Sequence, residues 1–86
     1  MKNKVLSPEI TESVFTMYKN VKFLREQHGL TTKQLAEIIE ISETKLILSE
    51  ACTDTGCFND IHIKNVCDYF RINANSLFEN MKNHGN

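Results

Sequence analysis

Thr31-Thr32-Lys33-Gln34-Leu35-Ala36-Glu37-Ile38-Ile39-Glu40-Ile41-Ser42, followed by Leu46 and Glu50, is the stretch on which the fold of this chain turns. Thr31 and Gln34 stand three apart, the spacing at which a capping hydroxyl and a glutamine side chain satisfy each other's backbone donors. A helix is therefore expected from about Thr32 to Glu40, with Leu35, Ile38 and Ile39 on its buried face. Ser42 caps the next helix, about Glu43 to Ala51, and Leu46 turns inward. Two short helices thus follow one another across a tight turn.

The same reasoning extends in both directions. Ser7-Pro8-Glu9 reads as a helix start: a capping hydroxyl, a proline at the first helical position and an acid near the positive end of the dipole. Ile10, Val14, Met17/Tyr18, Val21 and Leu24 then recur at amphipathic spacing, and Gly29 suits the residue after a helix end. The spacing fits either one long helix or a short helix followed by another. Downstream, Thr53-Asp54-Thr55-Gly56 is turn chemistry. Asn59 or Asp60 caps a fourth helix carrying Ile63, Val66, Cys67 and Phe70, and Asn73 caps a short fifth with Leu77 and Phe78. The polar stretch Asn80–Asn86 is expected to fray. No β-alternation or internal repeat interrupts the pattern, so the fold class is all-α.

Eighty-six residues, 41% hydrophobic and 24% charged, suit one small domain. No apolar run approaches the roughly 18–20 residues that span a bilayer. The basic start, Met1 to Pro8, lacks the apolar stretch of a signal peptide. Three cysteines cannot all pair within the chain, and the expected setting is a reducing cytoplasm. The formal net charge is −1, unusual for a nucleic-acid binder, and its distribution is uneven. Residues 1–33 carry six bases and three acids; residues 34–60 carry Lys45 alone against six acids; residues 61–86 carry three bases and two acids.

From about Val21 to Glu79 the chain resembles the Cro/CI-type helix-turn-helix domains of phage repressors and related bacterial regulators. Arg25, Gly29-Leu30, Thr31, Gln34-Leu35-Ala36-Glu37, Ile41-Ser42, Leu46 and Glu50 carry the likeness. So does Phe70-Arg71-Ile72-Asn73-Ala74-Asn75-Ser76-Leu77, similar to the family's L-G-V-S-x-x-x-L ending. The resemblance implies a five-helix, lambda-repressor-like DNA-binding domain over residues 21–79. An N-terminal extension or first helix at 1–20 precedes it, and the polar tail at 80–86 follows. It also implies a homodimer that regulates transcription by placing its third helix on duplex DNA. Finally, it implies a structural salt bridge between Arg25 and Glu50, tying that helix to the scaffold.

The positions that read bases in the family correspond here to Glu43, Thr44, Lys45, Ile47 and Leu48. Thr44 and Lys45 suit hydrogen bonding to bases or phosphate, and Glu43 can accept from a cytosine amine while phosphates repel it. Ile47 and Leu48 can touch only thymine methyl groups. Thr32 stands where the family usually has Gln, and Lys33 beside it is the expected phosphate contact. Thr32, Lys33, Glu43, Thr44, Lys45 and Leu48 are therefore the expected DNA-binding residues. Lys19 and Lys22 are additional candidates for clamping phosphate, or simply part of a solvated face. Family glycines are replaced by Glu40 in the turn and Cys52 after the third helix. The acidic surroundings and the pair Ile47-Leu48 support a rival reading, in which Glu43, Ile47 and Leu48 grip a protein partner or a second copy. A third arrangement would bury one of the two apolar residues beneath Phe58.

Other chemistry is weaker. Cys52, Cys57, His62 and Cys67 offer thiolates and an imidazole at C-x4-C-x4-H-x4-C spacing. That is not the compact spacing of a zinc knuckle, and Cys67 belongs on the buried stripe of its helix. No metal or cofactor is expected. Cys52 and Cys57 either remain reduced or pair under oxidation. Phe15, Tyr18 and Phe23 are expected in the core or a dimer contact. No phosphate loop, nucleophile elbow or carboxylate pair points to an enzyme.

Overall fold

The computed structural model describes residues 7–81. The basic start and most of the polar tail considered above lie outside them. Five helices occur in the order α1 (Pro8–Gln27), α2 (Thr32–Ile39), α3 (Glu43–Glu50), α4 (Asp60–Phe70) and α5 (Ala74–Leu77), with no strand among the described residues.

Ser7 starts α1 by accepting from the backbone N–H of Ile10, and the helix then continues unbroken for 20 residues. At 1.5 Å per residue it is about 30 Å long, more than twice the length of α2 or α3. Its apolar stripe is buried at Met17, Tyr18 and Val21, while Ile10, about two turns before Met17, is 51% exposed. The first turns of α1 thus extend beyond the core they are patterned for. Phe15 packs partly against the core, and Tyr18 lies within it.

The expected capping box forms, and a second one accompanies it. Thr31 and Gln34 exchange backbone-to-side-chain bonds of 2.9 and 3.0 Å at α2, and Asn59 and His62 do the same at 3.0 Å each at α4. Ser42 caps α3 and Asn73 caps α5. The core joins Met17, Tyr18 and Val21 of α1 to Leu35, Ala36 and Ile39 of α2, Leu46 of α3, Val66 of α4 and Leu77 of α5. Phe78, expected beside Leu77, is instead exposed. Successive helical residues point about 100° apart, and α5 is too short to bury both directions.

Four successive helices end in the same way, with one residue in the left-handed region: Gly29 (φ 66°), Glu40 (φ 65°), Cys52 (φ 55°) and Arg71 (φ 60°). After each of them the next N–H reaches back five residues, from Leu30 to Arg25, Ile41 to Ala36 and Ile72 to Cys67 at 3.0–3.1 Å, and from Thr53 to Leu48 at 3.5 Å. This satisfies carbonyls that a helix end leaves open, and after Gly29, Glu40 and Arg71 the apolar residue that follows turns back onto the core. Only the first of the four is glycine.

Candidate nucleic-acid interface

α2, its turn and α3 form one packed unit, and α1 holds the far side of α3. Leu46 and Ser49 are buried on the inner face of α3, and the Ser49 hydroxyl donates to the Leu46 carbonyl at 2.7 Å. At the end of the helix, Glu50 receives two bonds from the Arg25 guanidinium, 2.7 Å from Nε and 3.0 Å from Nη2. Arg25 also donates to the Leu30 carbonyl at 2.7 Å. The two side chains are only 13% and 11% exposed. The paired carboxylate raises the arginine above its ordinary value, against the opposing effect of burial. The fork therefore fixes α3 to α1 and to the entry of α2 at once.

The outer face is Thr44, Ile47 and Leu48, at i, i+3 and i+4, and all three are exposed. Ile47 is 49% and Leu48 40% exposed, so neither is buried beneath Phe58. Phe58 instead packs on Tyr18, with ring centroids 5.3 Å apart. Lys45 and Lys33 are exposed as well. Thr32 and Glu43, the first residues of α2 and α3, are joined: the Thr32 hydroxyl donates to the Glu43 carboxylate at 2.7 Å. One oxygen of Glu43 is thereby engaged, and a negative charge is held between the starts of the two helices. Each residue was a candidate by itself; their link, across eleven positions of sequence, was not legible.

The other lysines are placed differently. Lys19 and Lys22 of α1 line a hollow of about 310 Å³ with Phe23, Glu26, Glu50, Ala51 and Cys52. They lie by the C-terminal end of α3, whereas Thr44 and Lys45 lie at its start. The structure thus groups Thr32, Lys33, Glu43, Thr44 and Lys45 around two adjacent helix N-termini, with Ile47 and Leu48 one turn further along.

The loop after α3 is held from beneath. The Tyr18 hydroxyl donates to the Thr55 carbonyl at 2.8 Å and accepts from the Cys57 N–H at 3.0 Å. Burial raises the Tyr18 hydroxyl above its ordinary value. Asn20, also buried, donates to the carbonyls of Leu77 and Glu79 and tethers the chain after α5. Both polar anchors sit on the core face of α1, where periodicity placed the Tyr18 ring but gave no sign of its hydroxyl's partners or of Asn20.

The cysteines are free thiols. Cys57 is buried, with Sγ 3.4 Å from the Asp54 carbonyl; burial, then the Asp54 charge, pushes its thiol up. Burial also raises Cys67, followed by the charge of Asp68. A raised thiol is a poor nucleophile and a poor metal ligand at neutral pH. No cluster of three or more metal-binding side chains occurs among the described residues. Nor, among them, is any helix long and apolar enough to cross a membrane.

No family model matches the chain, and neither does any curated protein or solved structure.

Proposed function

We propose that the chain is a lambda-repressor-like helix-turn-helix domain and acts as a small transcriptional regulator on duplex DNA. It is a cytoplasmic binding module and not an enzyme, and it works as a homodimer. The observation that carries this reading is the way α3 is held. Leu46, Ser49 and the Arg25–Glu50 fork lock its inner side, leaving a rigid helix with Thr44 and Lys45 at an exposed start. That is the presentation a major-groove helix requires, since its N-terminal residues meet base edges. Thr44 and Lys45 read bases. Lys33, at the neighbouring helix start, contacts phosphate, where the backbone N–H groups and the dipole also favour an anion. Glu43, braced by Thr32, is limited to accepting from a cytosine amine.

A second reading has its own support. The braced carboxylate and the exposed pair Ile47-Leu48 make an acidic, apolar surface suited to a protein partner. Glu43→Gln separates the two. It removes a charge that phosphates repel, so the DNA reading expects tighter binding to a random-sequence duplex; the protein reading expects no DNA affinity in either form.

Fluorescence anisotropy of the duplex, at low and at physiological salt, provides the measurement. Non-specific binders of this kind reach about 10⁻⁴–10⁻⁶ M at physiological salt and tighten as salt falls. Lys33→Ala should weaken binding and reduce the logarithmic salt slope by about one unit. Absence of binding at low salt for both the natural chain and Glu43→Gln would overturn the DNA reading and direct the search to a protein partner.

A further inference from the structure

The outward side of α1 carries a pattern that the core uses only in part, through Phe15. Pro8, Thr11, Glu12, Phe15, Thr16 and Lys19, together with Asn80, line a groove of about 670 Å³. The positions advance by three and four, so they form one stripe along the helix. Lys19 also lines the smaller hollow beside Lys22, Phe23 and Glu26. Glu12 and Lys19 are two turns apart on the stripe, with Phe15 and Thr16 between them. Both charges are exposed, and neither forms an ion pair among the described residues.

We infer that this stripe is the dimer interface: α1 of a second copy lies antiparallel in the groove, with Glu12 of each chain facing Lys19 of its partner. The stripe is complementary to itself in one orientation only. A two-fold axis crossing between Phe15 and Thr16 brings each residue to the one whose number completes a sum of 31, so 12 meets 19 and both ion pairs form at once. A parallel pair would oppose Glu12 to Glu12 and Lys19 to Lys19. The free charge of the helix agrees, because Glu9 and Glu12 occupy its first turns, while Lys19 and Lys22, offset in part by Glu26, occupy its later ones; Arg25 is engaged by Glu50. Antiparallel packing sets acid half against basic half, whereas the acid in the stripe disfavours nucleic acid as its occupant. Phe15, half-buried at the centre, supplies apolar surface for closing the pair. The interface leaves the outer face of α3 free, and it does not depend on what α3 binds.

Sedimentation of the full chain across micromolar concentrations tests this, with circular dichroism to follow helicity. The expected species is a dimer of twice the 9.9 kDa chain mass. Glu12→Lys and Lys19→Glu each turn two attractions into two repulsions and should weaken association about tenfold or more, a change of about 1.4 kcal/mol or above. The double variant Glu12→Lys with Lys19→Glu restores both pairs in reversed sense and should recover most of the natural affinity. Both positions are exposed, so helicity should be unchanged throughout. A monomeric natural chain would overturn the inference and leave the groove to a partner of different sequence. A dimer indifferent to the single reversals, or a double variant no stronger than the singles, would overturn it equally.

Discussion

The two faces of α3 obey different rules, although they alternate along eight residues. The inner face is specified by the rest of the molecule. Leu46 fills the core, the Ser49 hydroxyl returns to its own helix, and Glu50 is gripped by a guanidinium that also holds the entry to α2. Nothing in the core specifies the outer face, where Thr44, Ile47 and Leu48 are exposed between an acid braced on the α2 side and a lysine. Stability therefore constrains one side of the helix, and whatever α3 binds must be written on the other. The mixed chemistry of that outer side cannot be attributed to packing.

The sharpest test of this division compares neighbours. Leu46→Ala should cost about 2–5 kcal/mol, the range for deleting a buried leucine and leaving a cavity. Ile47→Ala, one residue further on, should stay within about 0.5 kcal/mol, as surface substitutions do. Chemical denaturation of both variants reads the difference directly. Similar losses would mean that the outer face is also packed, and the distinction between the faces would collapse.

The next effect isolates the fork. Glu50→Ala leaves the Arg25 guanidinium partly buried with the Leu30 carbonyl as its remaining acceptor, and should cost about 3 kcal/mol. Replacing both partners, as in Arg25→Met with Glu50→Leu, should be less damaging than the single change, because no charge is stranded. A double variant as unstable as the sum of its parts would mean that the two residues act independently. Duplex affinity supplies the second readout: if the fork serves to orient α3, the double variant should bind DNA more weakly even where it regains stability.

What could be read from sequence divides along similar lines. Capping at Ser7, Thr31, Ser42 and Asn73 was legible because a cap is decided within four residues, and the choice between Asn59 and Asp60 falls to Asn59. The core-facing stripes of α2 and α4 were legible because periodicity is local too, although Ile38, Ile63, Cys67 and Phe70 on them are only partly buried. The Arg25–Glu50 bond lies outside both signals, since its partners are 25 positions apart; only the resemblance to a known family placed them together. Tyr18 and Asn20 show the limit most plainly. Their partners are backbone groups at Thr55, Cys57, Leu77 and Glu79, and no side-chain pattern announces a backbone acceptor that far along the chain. Of the candidate site, the exposure of Thr44, Lys45, Ile47 and Leu48 followed from the helix pattern, but the linkage of Thr32 to Glu43 did not, and that linkage sets the electrostatics of the helix starts.

The helix ends carry the smallest effect and a different contrast between inside and outside. Gly29 ends α1 in the left-handed region at little steric cost, and a side chain there would meet no atom within 4 Å. Glu40 adopts nearly the same φ at the end of α2, where its β-carbon crowds the following carbonyl by about 1–2 kcal/mol. Its side chain is exposed and forms no hydrogen bond among the described residues that would offset this strain. Glu40→Gly relieves the strain but gives the unfolded chain more freedom, which returns about 0.4–1 kcal/mol. The net expectation is a gain of about 0.5–1 kcal/mol, seen as a modest rise in thermal midpoint. The turn between α2 and α3 keeps its geometry throughout, because the 3.0 Å bond from the Ile41 N–H to the Ala36 carbonyl needs only the φ that glycine adopts freely. The same substitution removes an acid from the turn that joins the two helices of the proposed interface. Stability and duplex affinity should therefore rise together. A gain in stability without a gain in affinity would mean that the charge of this turn lies beyond the reach of the phosphates, and would shift the burden of repulsion onto Glu43 alone.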